Sequence, residues 1–251
     1  MINLKIAIQK SGRLNEDSLT LLKECGISIN NGKDQLMAQA SNFRLDVLYL
    51  RNSDIPQYVR DGVADIAIIG DNTEKEKKTG IRHVLDLGFS RCRLSIAVPK
   101  NVDFQDISYL QGKKIATSYP NSLKDFLTEN DIEAEIHEIS GSVEIAPNIG
   151  LADAICDLVS SGSTLFKNGL KEVYKIFESQ AILVANSGLC GEKQELLAQL
   201  VFRIKAVLAA KYNKYILLNA PEKALDRICR LLPGMKSPTI MPLRENGWVS
   251  V

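Results

Sequence analysis

Hydroxyls, a glycine and two carboxylates crowd the stretch DAICDLVSSGSTL, residues 153 to 165. Ser160, Ser161, Ser163 and Thr164 offer hydroxyl donors around Gly162, whose missing side chain lets backbone approach a ligand closely. As a loop between a strand and the next helix, they would cradle a phosphate monoester through backbone N–H groups and the helix dipole. Asp157 is placed to accept hydrogen bonds from ribose hydroxyls, and Asp153, in the same stretch, is counted with it among the residues expected to bind the sugar phosphate. The implied ligand is a sugar phosphate. Glu144, in GSVEIAP, either adds a second carboxylate to this rim or is a solvated acid in the first turn of a short helix. A plainer alternative is that Gly162 only allows a turn and Ser163 or Thr164 only caps a helix.

A second group is cationic. QKSGRL (9 to 14) follows an apolar run, with Gly12 permitting a tight turn and Lys10 and Arg13 able to face a polyphosphate. Arg51, after LDVLYL, is similarly placed, and Arg91 and Arg93 stand near a chain crossing. Nucleophilic and metal chemistry have little to work with. The chain has 5 cysteines, an odd number without a CxxC pair, and 2 histidines, so neither a disulfide framework nor a zinc site is expected. Cys156, inside AICDLV, reads as a small buried hydrophobe.

The elements that must position these residues follow an α/β rhythm with parallel strands. Strands are expected at 4–9, 45–50, 64–70, 93–100, 113–118, 133–140 and 180–187. Helices are expected at 15–26, capped by Asn15, after Pro56, from Pro120, after the 160–164 loop, and over 191–214. An internal echo links DGVADIAIIGDNT (61 to 73) with NIGLADAICDLVSSGST (148 to 164) through a Gly-x-Ala-Asp step. Leu151, Ile155, Leu158 and Val159 also fit helical spacing, but the echo favours a strand before Ser160. It further implies two similar lobes, crossed near Arg91 to Arg93 and rejoined near 175 to 185. Ligands of open α/β sheets bind at the carboxyl ends of strands, so the loops after Gln9, Leu50, Ile69, Ala116 and Val159 are where chemistry belongs.

The 251 residues carry 31 basic and 30 acidic side chains, a net charge of +1 that suggests neither a nucleic-acid footprint nor a membrane-surface patch. Neither a signal peptide nor a membrane span is expected, which points to a soluble, cytoplasmic protein.

QKSGRL, RNSDIP, DGVADIAIIGDN, CRLSIAVP, KKIATSYP, GSVEIAP and GLADAICDLVSSGSTL together resemble the ATP phosphoribosyltransferase family in its long form, from Lys5 to the end. The resemblance implies a two-lobed α/β core of the periplasmic-binding-protein type (type II), with lobe I from 1–92 plus 180–212 and lobe II from 93–179. It implies Mg2+, ATP and phosphoribosyl pyrophosphate as ligands, and homo-oligomers, dimers assembling into hexamers. It places the 5-phosphate on Ser160 to Thr164, the ribose on Asp157 with Glu144 as the catalytic carboxylates, and the nucleotide on Gly12, Arg13 and Leu14, with Lys10 and Arg51 nearby. Two departures lie close together: the family's Arg-Asp-Asp-Asp-Ile-Pro is Arg51-Asn52-Ser53-Asp54-Ile55-Pro56, and the arginine expected two positions before Arg51 is Tyr49. Residues 213–251 read as strand, helix, strand, strand, the first two thirds of a ferredoxin-like βαββαβ regulatory domain, so weakened histidine feedback is expected. A non-catalytic two-lobed solute-binding module and a phosphoribosyltransferase for another base are the alternative functions.

Overall fold

The computed structural model describes residues 2–30, 35–211, 213–232, 234 and 237–251. The chain divides into two compact units, Met1–Lys205 and Ala206–Val251.

The first unit is built on two sheets. Strand β1 (Leu4–Gln9) leads into α1 (Arg13–Glu24), and then come β2 (Met37–Gln39), β3 (Leu45–Leu50), α2 (Ile55–Arg60), β4 (Ile66–Gly70), α3 (Asp71–Lys77) and β5 (Arg82–Asp86). The chain crosses into β6 (Cys92–Pro99), β7 (Lys114–Thr117), α4 (Pro120–Glu129), β8 (Glu135–Glu138), β9 (Ala154–Val159), α5 (Ser163–Lys167) and β10 (Leu170–Ser179). It returns through β11 (Ala181–Ala185) and continues into α6 (Gly191–Lys211). The six-stranded sheet has the order β2-β3-β1-β4-β11-β5 and the five-stranded sheet β10-β6-β9-β7-β8. The expected two-lobed α/β core is therefore present. The sheets are not purely parallel as expected: β1 pairs in parallel with β3 and β4, and β7 with β8 and β9, but the crossing strands β11 and β6 run antiparallel to β4 and β9. A strand that arrives from the other lobe enters its sheet at the end where its neighbours stop, so it must run the opposite way.

Residues 154–159 form the strand that the echo favours, and the echo has a structural cause. At the start of β4, Asp65 accepts a hydrogen bond from the Lys5 N–H (2.8 Å) while its own N–H donates to the Lys5 carbonyl. At the start of β9, Asp153 does the same with Lys114 (2.9 Å). In each lobe the aspartate clips the amino end of one strand to its parallel neighbour. Buried aliphatic residues on both faces of these strands, Ile6, Ile8, Ile66, Ile68, Ile155 and Cys156 among them, supply the cores.

Several boundaries differ from expectation. Helix α1 begins at Arg13, so Asn15 is not its cap; the Asn15 amide instead donates to the Gln9 carbonyl at 2.6 Å, tying the first turn to the strand before it. The helix after the 160–164 loop is short, and the chain re-enters the sheet as β10, a strand with no clear alternation in LKEVYKIFES. The expected helix 191–214 is α6, ending at Lys211; Tyr212 lies outside the described residues.

The second unit contains β12 (Asn219–Pro221), α7 (Leu225–Leu231), β13 (Met241–Pro242) and β14 (Trp248–Ser250), with an antiparallel sheet in the order β12-β14-β13. Its strand-helix-strand-strand order matches expectation, with a first strand much shorter than 214–221. Among the described residues no helix is long and apolar enough to cross a membrane.

Candidate active site

The carboxyl ends of β1, β3 and β4 in one sheet, and of β7 and β9 in the other, carry the loops QKSGRL, RNSDIP, GDN, SYP and SSGST. Where the chain crosses between the two sheets lies a cavity of about 600 Å³ lined by Asp71, Asp86, Arg91, Cys92, Arg93 and Ser160 among others; of the expected ligand residues its lining includes Ser160, so it marks the crossing side of the cleft.

Asp157 occupies the last turn of pleat before the loop, on the same strand face as Ile155 and Val159. Those two pack with Val143, which puts the short 3-10 turn Val143–Ile145, and with it Glu144, beside Asp157. Burial is the main reason that the Asp157 carboxyl is pushed up to about 6; the Glu144 charge adds to the rise, and a hydrogen bond from the Leu158 N–H (2.7 Å) opposes it. The fold thus brings together two carboxylates that the sequence separates.

The loop itself turns on Gly162, at φ 76°, in the left-handed region that disfavours other residues. Ser161 and Ser163 share a hydroxyl–hydroxyl contact of 3.0 Å, and all four hydroxyl-bearing residues of the loop are exposed. Among the described residues the Ser161 and Gly162 N–H groups have no protein acceptor. The helix that follows, α5, is 5 residues long, so the dipole it adds at the loop is small and the loop's own amides and hydroxyls are the donors on offer.

Arg93 is committed to structure. Its guanidinium makes a bidentate pair with Glu172, which also accepts from the Ser95 hydroxyl (2.8 Å), and its Nη1 donates to the Ser160 carbonyl at 3.1 Å. Glu172 holds the Arg93 cation above its usual range, and Arg93 holds the Glu172 carboxyl below its own. Because a trans peptide points its C=O and N–H in opposite directions, fixing the Ser160 carbonyl aims the Ser161 N–H away from Arg93. Arg91 stays exposed in the cleft.

On the facing lobe, Gly12 (φ 88°) precedes α1, and no side chain caps that helix. Lys10 and Arg13 are exposed, Arg13 lying 3.8 Å from Asp17, and Leu14 is half-buried. Arg51 is exposed directly after β3. Next to it, Asn52 donates to the Thr73 hydroxyl (2.9 Å), while its carbonyl oxygen is buried without a partner among the described residues. Tyr49, at the position of the expected arginine, is buried.

One assignment needs correcting. Asp153 stands at the opposite end of β9 from the loop, and its carboxylate accepts from the Lys114 backbone N–H, so the geometry gives it a strand-pinning role away from the loop. Tyr119, two residues beyond the end of β7, is not singled out by the sequence: burial together with the Asp157 charge drives its phenol well above the usual range, and its hydroxyl accepts from the Asn72 amide at 3.5 Å. The rule that favours strand ends would have found it in KKIATSYP. Cys156 is fully buried and its thiol is pushed far up, which removes it as a nucleophile.

The family model for ATP phosphoribosyltransferase matches residues 51–206, and a second, described as HisG, C-terminal domain, matches 210–251. An ATP phosphoribosyltransferase of Cytophaga hutchinsonii is 58% identical over 99% of this chain and 87% of its own length; one of Phocaeicola vulgatus is 54% identical over 99% and 88%. Among solved structures, the ATP phosphoribosyl transferase (HisG:HisZ) complex from Thermotoga maritima superposes with a TM-score of 0.72 at 29% identity, over 82% of this chain and 99% of that one. A substrate-binding protein of an amino acid ABC transporter matches with a TM-score of 0.55 at 12% identity, over 84% of this chain and 95% of that one, a likeness of fold alone. On these grounds the chain belongs to the ATP phosphoribosyltransferase family.

Proposed function

We propose that the two edges of the cleft divide the substrates of the family reaction between them. That reaction is a pentosyl transfer: N1 of the ATP adenine displaces pyrophosphate from phosphoribosyl pyrophosphate, opening histidine biosynthesis. Phosphoribosyl pyrophosphate lies against lobe II (93–179), its 5-phosphate on Ser160 to Thr164 and its ribose hydroxyls on Asp157 and Glu144. ATP lies against lobe I (1–92 plus 180–212), on Lys10, Gly12, Arg13, Leu14 and Arg51. The observation that carries this reading is the Asp157–Glu144 pair beside a glycine-turned hydroxyl loop.

As the bond to pyrophosphate loosens, positive charge grows at the anomeric carbon, and the Asp157 carboxylate is oriented to hold the ribose while that charge develops. Holding both substrates in line across the cleft turns a two-body encounter into an attack from a fixed position. No covalent intermediate is needed, in keeping with a buried Cys156.

The family's Mg2+ suits this donor set. Two neighbouring carboxylates offer hard oxygens, and among the described residues no group of three or more His, Cys, Asp or Glu is placed to hold a metal ion. Asp157 and Glu144 would therefore share the ion with substrate oxygens, the usual arrangement for Mg2+. When bound, it supplies charge neutralisation to the departing pyrophosphate.

We further read the enzyme as a cytoplasmic homo-oligomer, dimer or hexamer, with 213–251 as its regulatory unit; light scattering on the purified chain tests the assembly. For the site, pyrophosphate release is followed with ATP and with other bases. Release with ATP is expected, and Asp157→Asn is expected to lower kcat about 100-fold with the fold intact. Unchanged turnover in that variant removes Asp157 from the site.

A further inference from the structure

Helix α4 has no cap of its own. Its first residue, Pro120, has no N–H, and the Tyr119 side chain makes no capping bond. The Leu123 N–H is taken by the Tyr119 carbonyl, which leaves the Asn121 and Ser122 N–H groups as the orphan donors of the first turn. Both are satisfied from the other lobe. Glu76, on α3 and only 6% exposed, accepts from the Asn121 N–H through Oε1 and from the Ser122 N–H through Oε2, each at 2.9 Å. Its Oε2 also accepts the Ser122 hydroxyl (2.8 Å), and its carbonyl accepts the Asn121 amide (3.1 Å).

The other end of α3 is held as well. The Asn72 N–H donates to the Ser179 hydroxyl, which donates back to Asn72 Oδ1, each at 2.9 Å, and the Asn72 amide meets Tyr119. Lys75 lies over the Phe177 ring at 4.4 Å, and Lys78 pairs with Asp125. Thus α3 follows the strand end of one sheet and is fastened at both ends to the other. Helix α1, which follows β1 as α4 follows β7, keeps its N-terminus free of side-chain caps. One helix start carries no side-chain cap; the other is capped by a carboxylate from the facing lobe.

We propose that Glu76 is a positioning residue that sets the separation of the two substrate-bearing edges, by capping α4 across the cleft. Separating the lobes would leave α4 uncapped and the Glu76 carboxylate without its donors, so the joint resists the hinge opening that two-lobed folds otherwise allow. This inference rests on the division of substrates proposed above.

If alignment is what Glu76 provides, its loss lowers turnover while each lobe still binds its own substrate. Glu76→Gln keeps the shape but turns an amide toward two N–H donors; Ser122→Ala, a milder change, removes one of the bonds and keeps α4 capped. The readouts are kcat, both KM values, separate binding of ATP and phosphoribosyl pyrophosphate by calorimetry, and Tm. For Glu76→Gln, kcat is expected to fall about 10-fold or more with both KM values within about 3-fold of the parent. Ser122→Ala is expected to fall in between, and it carries the test if Glu76→Gln does not fold. A kcat within about 2-fold of the parent, whatever the Tm, overturns the proposal, and so does an effect confined to one KM. The division of substrates fails separately: phosphoribosyl pyrophosphate binding that is unchanged by Asp157→Asn sinks it whatever Glu76 does.

Discussion

Asp157 is where environment decides chemistry. Its carboxyl sits near 6 because burial and Glu144 disfavour the charge, against an ordinary value of about 4. A carboxyl raised in the folded state binds its proton more tightly there than in the unfolded chain. Its contribution to stability is therefore whole below about pH 4 and is lost as pH rises through about 6. Asp157→Asn should consequently melt higher than the parent at pH 8, with the gap closing between about pH 6 and 4; equal gaps at both ends mean the carboxyl is not raised. The acid limb of kcat/KM near pH 6 should be absent from what activity that variant retains. Arg93 shows the reverse lesson. From its type and place it is a cation at a cleft, yet Glu172 neutralises it and its work is to hold a carbonyl.

Among the elements, the two aspartate clips invite comparison because one motif occurs in two surroundings. Asp65 is buried and also pairs with Lys193 at 2.8 Å, whereas Asp153 is exposed. Asp65→Ala should cost about 3 kcal/mol of stability and Asp153→Ala about 1 kcal/mol, measured by denaturant unfolding. Asp153→Ala should leave both KM values unchanged, because the clip lies at the far end of β9; a raised KM for phosphoribosyl pyrophosphate would return Asp153 to the site. The strands β1, β3, β4, β7 and β9 were legible as short apolar runs bounded by turn residues. Strand β10 was not, because LKEVYKIFES lies half-buried against β6 with irregular register and presents no clean alternation.

For the whole molecule, the two units differ in how much they bury. Beyond residue 205, the buried hydrophobic side chains among the described residues are Ala220 and Val249, while the first unit buries long runs of Ile, Leu and Val. Backbone amides of β12 and β14 should exchange with solvent at least about 10-fold faster than those of β1, β4 and β9, read by hydrogen exchange; equal protection would contradict the low burial of this unit. The sequence by itself determined the α/β rhythm, the strand before Ser160, the glycine-turned hydroxyl loop and the family, since each rests on residues close together in the chain. It could not determine that Glu144 raises Asp157, that Glu172 takes Arg93, or that Glu76 caps a helix beginning more than 40 residues later. Those pairings exist because two separately formed sheets meet across a cleft, and burial and charge act through space, where distance along the chain has no weight.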